Sequence, residues 1–215
     1  MVDKLVSYRG RIAADWPASD YYENAEAWVP GFWEVGTVFR TAFDQLDLTA
    51  VVDLACGHGR HSAQILRRAG TITLVDVNQT NIDACRKRFA QETHLRFIAN
   101  AGNDLPGIAD GSQTALFSYD AMVHFELLDV LAYLREIWRV LVPGGRALLH
   151  VSNNPENPQG YYHQNRHWRN FGNLDVVRHF ADRTGFEVLS HQVLDWNGVA
   201  ELDGLILLER LAARA

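Results

Sequence analysis

Five short apolar runs, at 50–55, 72–76, 95–99, 114–119 and 146–151, constrain this chain more than any other feature. Each has the length of a strand and is too short for a buried helix. Helical patterns follow the first, second and fourth runs. From about Gln79, the residues Ile82, Cys85 and Phe89 fall on one side of a helix. From about Leu127, the residues Leu131, Leu134, Trp138 and Leu141 do the same before VPGG ends the pattern. Strands and helices alternating in this way specify an α/β fold with a parallel, doubly wound sheet. Near the end, FEVLSHQVLDW and LDGLILLERL are joined by a link too short for a helical crossover, so that pair is expected to be antiparallel.

The chain has 215 residues, 47% of them hydrophobic, which is enough for one sizeable core. Residues 1–48 are rich in aromatics and lack a strand-like run, so they are read as an N-terminal helical cap of the domain formed by residues 49–215. Phe32, Val35, Phe39 and Phe43 follow helical spacing, which predicts one amphipathic helix from Phe32 to Leu46. Acidic residues outnumber basic ones 26 to 20. A net charge of -6 offers little attraction to nucleic acid or an anionic membrane, and neither is expected as a partner. No signal-like or bilayer-spanning run occurs, and two cysteines, Cys56 and Cys85, fit a reducing compartment. A cytoplasmic location is expected. The oligomeric state is not legible.

The first run ends in a turn: VVDLACGHGR. Gly57 and Gly59 let the backbone turn sharply and approach a ligand, and a helix after them would aim free N–H groups at it. The second run ends in Asp76, 17 residues beyond Gly59, where a carboxylate can accept from ribose hydroxyls. A nucleoside-bearing ligand is therefore expected. A dinucleotide site needs a third glycine where Ser62 stands, which weakens a nicotinamide-dependent oxidoreductase reading. Asp53, inside the turn, suits a ligand with a cationic amine.

These pieces, DLACGHG, LVDVN, LFSYDAMVHFE and RVLVPGG, in this order over roughly residues 50–151, resemble the class I S-adenosylmethionine-dependent methyltransferases. The resemblance implies a Rossmann-like, seven-stranded sheet with an antiparallel last strand, and S-adenosyl-L-methionine as cofactor. It implies that Asp53, Ala55, Gly57 and Gly59 surround the methionine moiety, Ala55 standing where the family usually has glycine. Asp76 would hold the ribose, Val77 would flank the adenine, and Asn103, Asp104 and Leu105 would lie at the adenine amino group. Tyr119 would face the amino acid portion, and Arg60 could pair with its carboxylate.

A hydroxyl acceptor must lose a proton, and His124, five residues beyond Tyr119, stands where similar small-molecule methyltransferases carry a histidine. His150, at the end of the fifth run, is the second catalytic candidate; His163 and His167 are weaker ones. No Asn-Pro-Pro-Tyr motif or Pro-Cys pair follows the fourth run, which argues against nucleobase methylation. No carboxylate cluster for Mg²⁺ stands out, and no metal is expected. The long segment SNNPENPQGYYHQNRHWRNFG, together with the N-terminal aromatics, suggests a lid over a flat apolar pocket. The expected reaction is methyl transfer to a small-molecule hydroxyl, sugar-containing or aromatic. The alternative is a non-catalytic protein that binds the nucleoside as a regulatory ligand.

Overall fold

The computed structural model describes residues 4–16 and 20–212. Seven strands form one sheet: β1 (Ala50–Leu54), β2 (Thr71–Asp76), β3 (Leu95–Ala99), β4 (Gln113–Ser118), β5 (Leu141–Ser152), β6 (Phe186–Trp196) and β7 (Val199–Arg210). Their order is β3-β2-β1-β4-β5-β7-β6, with β1 to β5 parallel and β7 antiparallel to both neighbours. The α/β, doubly wound, seven-stranded sheet with its antiparallel end is thus the expected one. The strand order reverses between β1 and β4, the switch point at which such sheets bind ligands.

Successive side chains of a strand point to opposite faces, so each central strand feeds two cores. Val52, Leu54 and Leu116 pack with Val130, Leu134 and Ile137 of α6 (Leu127–Val140) and with Val177 of α7 (Leu174–Thr184). Val51, Ile72, Leu74 and Phe117 pack on the other face with Ile82 and Cys85 of α5 (Gln79–Arg88). Burial on both faces explains why the sequence shows continuous apolar runs in place of alternation.

The N-terminal part forms α1 (Lys4–Asp15), α2 (Tyr21–Asn24), α3 (Val29–Trp33) and α4 (Val38–Phe43). The single helix expected from Phe32 to Leu46 is therefore broken. Glu34 is extended (ψ 138°), Gly36 takes φ 93°, and Thr37 starts α4 by accepting the Arg40 N–H at 3.2 Å. Helical spacing carries across the break by coincidence: Phe43 is fully buried, whereas Val35 is 86% exposed.

The helix expected after β1 is also absent as a regular element. Residues 55–69 run through turns, with one 3₁₀ stretch at Ser62–Gln64. Here three consecutive buried side chains are each claimed by a different partner: Arg60 by Asp120, His61 by Trp33 and Ser62 by Asp53. The long segment after β5 holds two short 3₁₀ turns, Tyr162–Gln164 and Arg166–Trp168, and Asn173 caps α7 by accepting the Val176 N–H.

The broken helix gives a direct test. Phe43→Ala is expected to lower unfolding free energy in urea by about 3–5 kcal/mol, the cost of a buried aromatic cavity. Val35→Ala, at another position of the same spacing, should change it by no more than about 0.5 kcal/mol.

Candidate active site

The glycine turn sits on the carboxyl end of β1 and is held to β2. Cys56 N–H donates to the Val75 carbonyl at 3.1 Å and Gly57 N–H to Asp76 Oδ2 at 2.9 Å. Asp76 Oδ1 also accepts from Asn78 N–H at 2.8 Å and from the Asn81 amide at 3.0 Å. Ala55 and Gly57 adopt φ of 59° and 54°. For alanine that left-handed conformation costs roughly 1–2 kcal/mol, and it turns the backbone toward the cavity above the sheet edge.

Ala55, Gly57, Asp76, Val77 and Tyr119 line that cavity, as does Arg60. Two other motif residues do not. A Cβ on Gly59 would lie 2.6 Å from Phe89 and 3.3 Å from the Cys85 sulfur, so this glycine lets α5 pack against the turn. Asp53 is buried beneath the turn and accepts from Ser62 Oγ at 2.7 Å; burial raises its pKa to about 7 despite that bond. Ser62 stands at the third-glycine position because it serves Asp53.

On the side where an adenine amino group was expected, the residues are displaced. Leu105 is core, and the Asp104 carboxylate accepts the Ala101 N–H at 2.8 Å; neither they nor Asn103 form the cavity wall. Asn100 and Gly102 do, Asn100 being fixed by donating to the Tyr133 hydroxyl and the Asp104 carbonyl. Asn100 is the first residue beyond β3, a position that strand counting alone could have marked. The N-terminal helices close the top with Arg9, Ile12, Trp16, Tyr21 and Tyr22. They are tied down by Arg9 to Asp129, by the Tyr22 hydroxyl accepting from Asn81, and by Tyr162 donating to Asp15.

From the wall of this cavity inward runs a buried charge network that the sequence reading missed. Asp120 accepts from Arg60 at 2.8 Å and from the Tyr21 hydroxyl at 2.8 Å, with Arg169 at 3.7 Å. Arg169 is paired with Asp203 through two bonds of 2.9 and 2.7 Å. Burial alone would raise both carboxyls, yet Arg60 and Arg169 hold Asp120 low, and His150 and Arg169 hold Asp203 at about 2. His150 belongs to this network. It is fully buried behind Tyr119, accepts the Asp120 N–H at Nδ1 (3.1 Å), and turns Nε2 to Asp203 at 3.1 Å. The second catalytic candidate is therefore not among the residues that line the cavity over the glycine turn.

His124 does face the cavity. Its Nδ1 lies 2.7 Å from the Trp168 carbonyl, which can only accept, so Nδ1 carries the hydrogen and Nε2 the lone pair. Burial, then Arg169, lowers its pKa to about 4. A second, wider cavity adjoins the first, and Trp16, Tyr21, Asp120 and His124 line both. The rest of its wall includes Trp28, Phe32, Trp168, Arg169 and Trp196. Of the seven non-glycine residues at positive φ among the described residues, five (Ala55, Asp120, His167, Trp168 and Asn197) line these two cavities. Asn197 with Gly198 makes the ordinary Asn-Gly hairpin turn between β6 and β7, whereas Ala55, Asp120, His167 and Trp168 hold less common backbone conformations at the cavity walls.

Because His124 is neutral in the fold and its pKa is 6.5 when unfolded, its contribution to stability is complete above about pH 6.5 and is lost as pH falls toward 4. Asp53, raised to about 7, acts with the opposite sign over the same range, so the measurement must compare variants. The stability advantage of wild type over His124→Asn, whose amide can still donate to Trp168, should shrink by about 1–2 kcal/mol between pH 7 and pH 5.

Residues 51–145 match the family model described as a methyltransferase domain. A biotin biosynthesis bifunctional protein BioHC from Cellvibrio japonicus is 29% identical over 143 residues, 66% of this chain and 27% of that protein. A demethylmenaquinone methyltransferase from Clavibacter sepedonicus is 30% identical over 112 residues, 50% of this chain and 43% of that one. The chain thus spans about a quarter to less than half the length of these relatives. Among solved structures, a geranyl diphosphate methyltransferase in complex with GPP and sinefungin superimposes with a TM-score of 0.72 at 16% identity, over 95% of this chain and 100% of that one. The methyltransferase domain matched over residues 51–145, the sheet and the order of the motifs support a class I S-adenosylmethionine-dependent methyltransferase with S-adenosyl-L-methionine as its cofactor.

Proposed function

We propose that the protein transfers a methyl group from S-adenosylmethionine to the oxygen of a small-molecule acceptor, a sugar-containing or aromatic hydroxyl. The observation that carries this reading is the junction of two cavities at His124, one over the glycine turn and one walled by aromatic rings. A protein that only stored the nucleoside would need no second cavity opening beside it. No helix among the described residues is long and apolar enough to cross a membrane. The free, buried Cys56 and Cys85, with sulfurs 4.0 Å apart, suit the reducing cytoplasm, where we place the reaction. Residues 1–48 are taken as a cap of the same domain.

The walls of the first cavity fit the cofactor. Asp76 uses Oδ2 for one bond only, leaving an acceptor position for a ribose hydroxyl. His61 accepts the Trp33 indole N–H at Nδ1 (3.1 Å), so its Nε2 carries a hydrogen; that N–H is buried and lacks a partner, and His61 is one of the residues that line the cavity. Burial and then Arg60 depress its pKa to about 3, keeping it a neutral donor for a ligand oxygen such as a carboxylate. In this reading Ala55, Gly57 and Tyr119 hold the amino acid portion, Asp76 the ribose, and Val77, Asn100 and Gly102 the base. Arg60 shapes the wall through Asp120 and Ala25 and is not left over as a carboxylate clamp.

The bound cofactor supplies an electrophilic methyl group on a sulfonium. The chain has to align the acceptor, exclude water and take a proton. The N-terminal helices exclude water, and His124 Nε2 takes the proton from the acceptor hydroxyl. Its low pKa keeps the base form present throughout the neutral range. The rate is therefore expected to be flat between pH 6 and 8, its acidic limb lying well below the unperturbed histidine range.

Two measurements test the assignment. Asp76→Ala should weaken S-adenosylhomocysteine binding by about 1.5–3 kcal/mol in calorimetry; unchanged affinity would remove Asp76 from the site. His124→Ala should lower the single-turnover rate of methyl transfer by roughly a hundredfold or more with S-adenosylhomocysteine affinity held within about twofold. Full activity in that variant would leave the acceptor without need of a base.

A further inference from the structure

The second cavity can be read for its ligand. Six aromatic rings line it and pack on one another in pairs that leave an aromatic wall: Phe32 and Trp196 are near-parallel at 5.9 Å, Trp16 meets Trp168 edge-on at 5.1 Å, and Trp28 stands beside Tyr21. Trp28 and Trp168 remain 45% and 40% exposed, an unusual cost for two indoles at one mouth unless something flat covers them. We propose that this cavity is the acceptor site and that it takes an uncharged compound bearing an aromatic hydroxyl, in preference to a sugar, a carboxylate or an amine. The inference rests on the proposed methyl transfer and narrows its substrate.

Charge excludes the ionic ligands. A carboxylate entering the cavity meets Arg169, but Nε and both Nη atoms of that guanidinium are already engaged, two by Asp203 at 2.9 and 2.7 Å and one by the His167 carbonyl at 3.1 Å, and Asp120 stands beside it. Its face is spent on Trp196, 4.6 Å from the ring centre. An ammonium meets Asp120, already bound by Arg60 and by the Tyr21 hydroxyl. Two guanidiniums and two carboxylates cancel, and either ion would lose water without gaining a counter-charge. A neutral ring needs no counter-charge and stacks on the indoles.

The proton decides between a phenol and a sugar alcohol. His124 has one free nitrogen for it, Nε2, because Nδ1 is committed to Trp168. Burial makes this nitrogen a weak base. It can share a proton held as in tyrosine, near pKa 10, far more readily than one held nearly as tightly as that of bulk water, about 15.7.

Tryptophan fluorescence titration with ring-matched probes tests this on the wild-type chain, with and without saturating S-adenosylhomocysteine. 2-Naphthol is expected to bind at least tenfold more tightly than 2-naphthoate or 2-naphthylmethylammonium, and more tightly than methyl glucoside. Binding should persist with S-adenosylhomocysteine present and weaken at least tenfold in Trp196→Ala, whose S-adenosylhomocysteine affinity should match wild type. Equal or tighter binding of a charged probe or the glucoside overturns the inference. So does displacement of 2-naphthol by S-adenosylhomocysteine, or an unaltered 2-naphthol affinity in Trp196→Ala. Failure of S-adenosylhomocysteine itself to bind would instead count against the methyltransferase reading, while the naphthol series without it still judges the cavity.

Discussion

Asp120 carries the site. It takes a left-handed backbone (φ 55°) at the end of β4 and is almost fully buried, which only its two guanidiniums make tolerable. Through Arg60 it reaches the glycine turn and the Ala25 carbonyl; through Tyr21 it reaches the N-terminal cap; through Arg169 it reaches the long segment after β5; and through its own N–H it fixes His150. A buried charge that loses its partner costs about 3–5 kcal/mol, so these elements hold one another in place. Such a network adds little net stability compared with apolar packing, and its value lies in fixing the geometry of the loops it joins.

The strain around the two cavities follows from the same arrangement. His167 and Trp168 are consecutive residues at φ 50° and 57°, and their carbonyls bind Arg169 and His124 respectively. Relaxing that stretch would release the hydrogen that fixes the tautomer of His124 and one of the bonds that fix Arg169. The energy stored in the backbone is thus exchanged for a defined lone pair at Nε2 and a fixed guanidinium, both on the wall shared with the aromatic cavity.

The glycine turn shows how far a motif reaches. Its Gly57 and Asp76 are on the cavity wall, and both were legible because a turn after a buried strand and a carboxylate at the next strand's end are local features. Asp53 and Gly59, equally prominent in the sequence, serve the inside of the turn, Asp53 through Ser62 and Gly59 by admitting Phe89. Spacing could not separate these roles, since the direction a residue faces in an irregular turn depends on what packs behind it. For the same reason Phe32 to Phe43 read as one helix: period 3.6 survives a break whose length happens to preserve phase.

By itself, then, the sequence determined the sheet class, the antiparallel end pair and the position of the ligand edge, because strand length, helical period and turn composition are set by neighbours along the chain; the candidacy of His124 came from the resemblance to similar methyltransferases. The tertiary structure decided the rest. Arg60 and Asp120 are 60 residues apart, and Arg169 and Asp203 are 34 apart, so no local pattern announces their pairing. It also decided that His150 turns Nε2 to Asp203, and that Asn100 stands at the cavity wall where Asp104 was expected. It fixed the basicity of His124 as well, since burial and the nearness of Arg169 are properties of the folded surroundings and not of the residue.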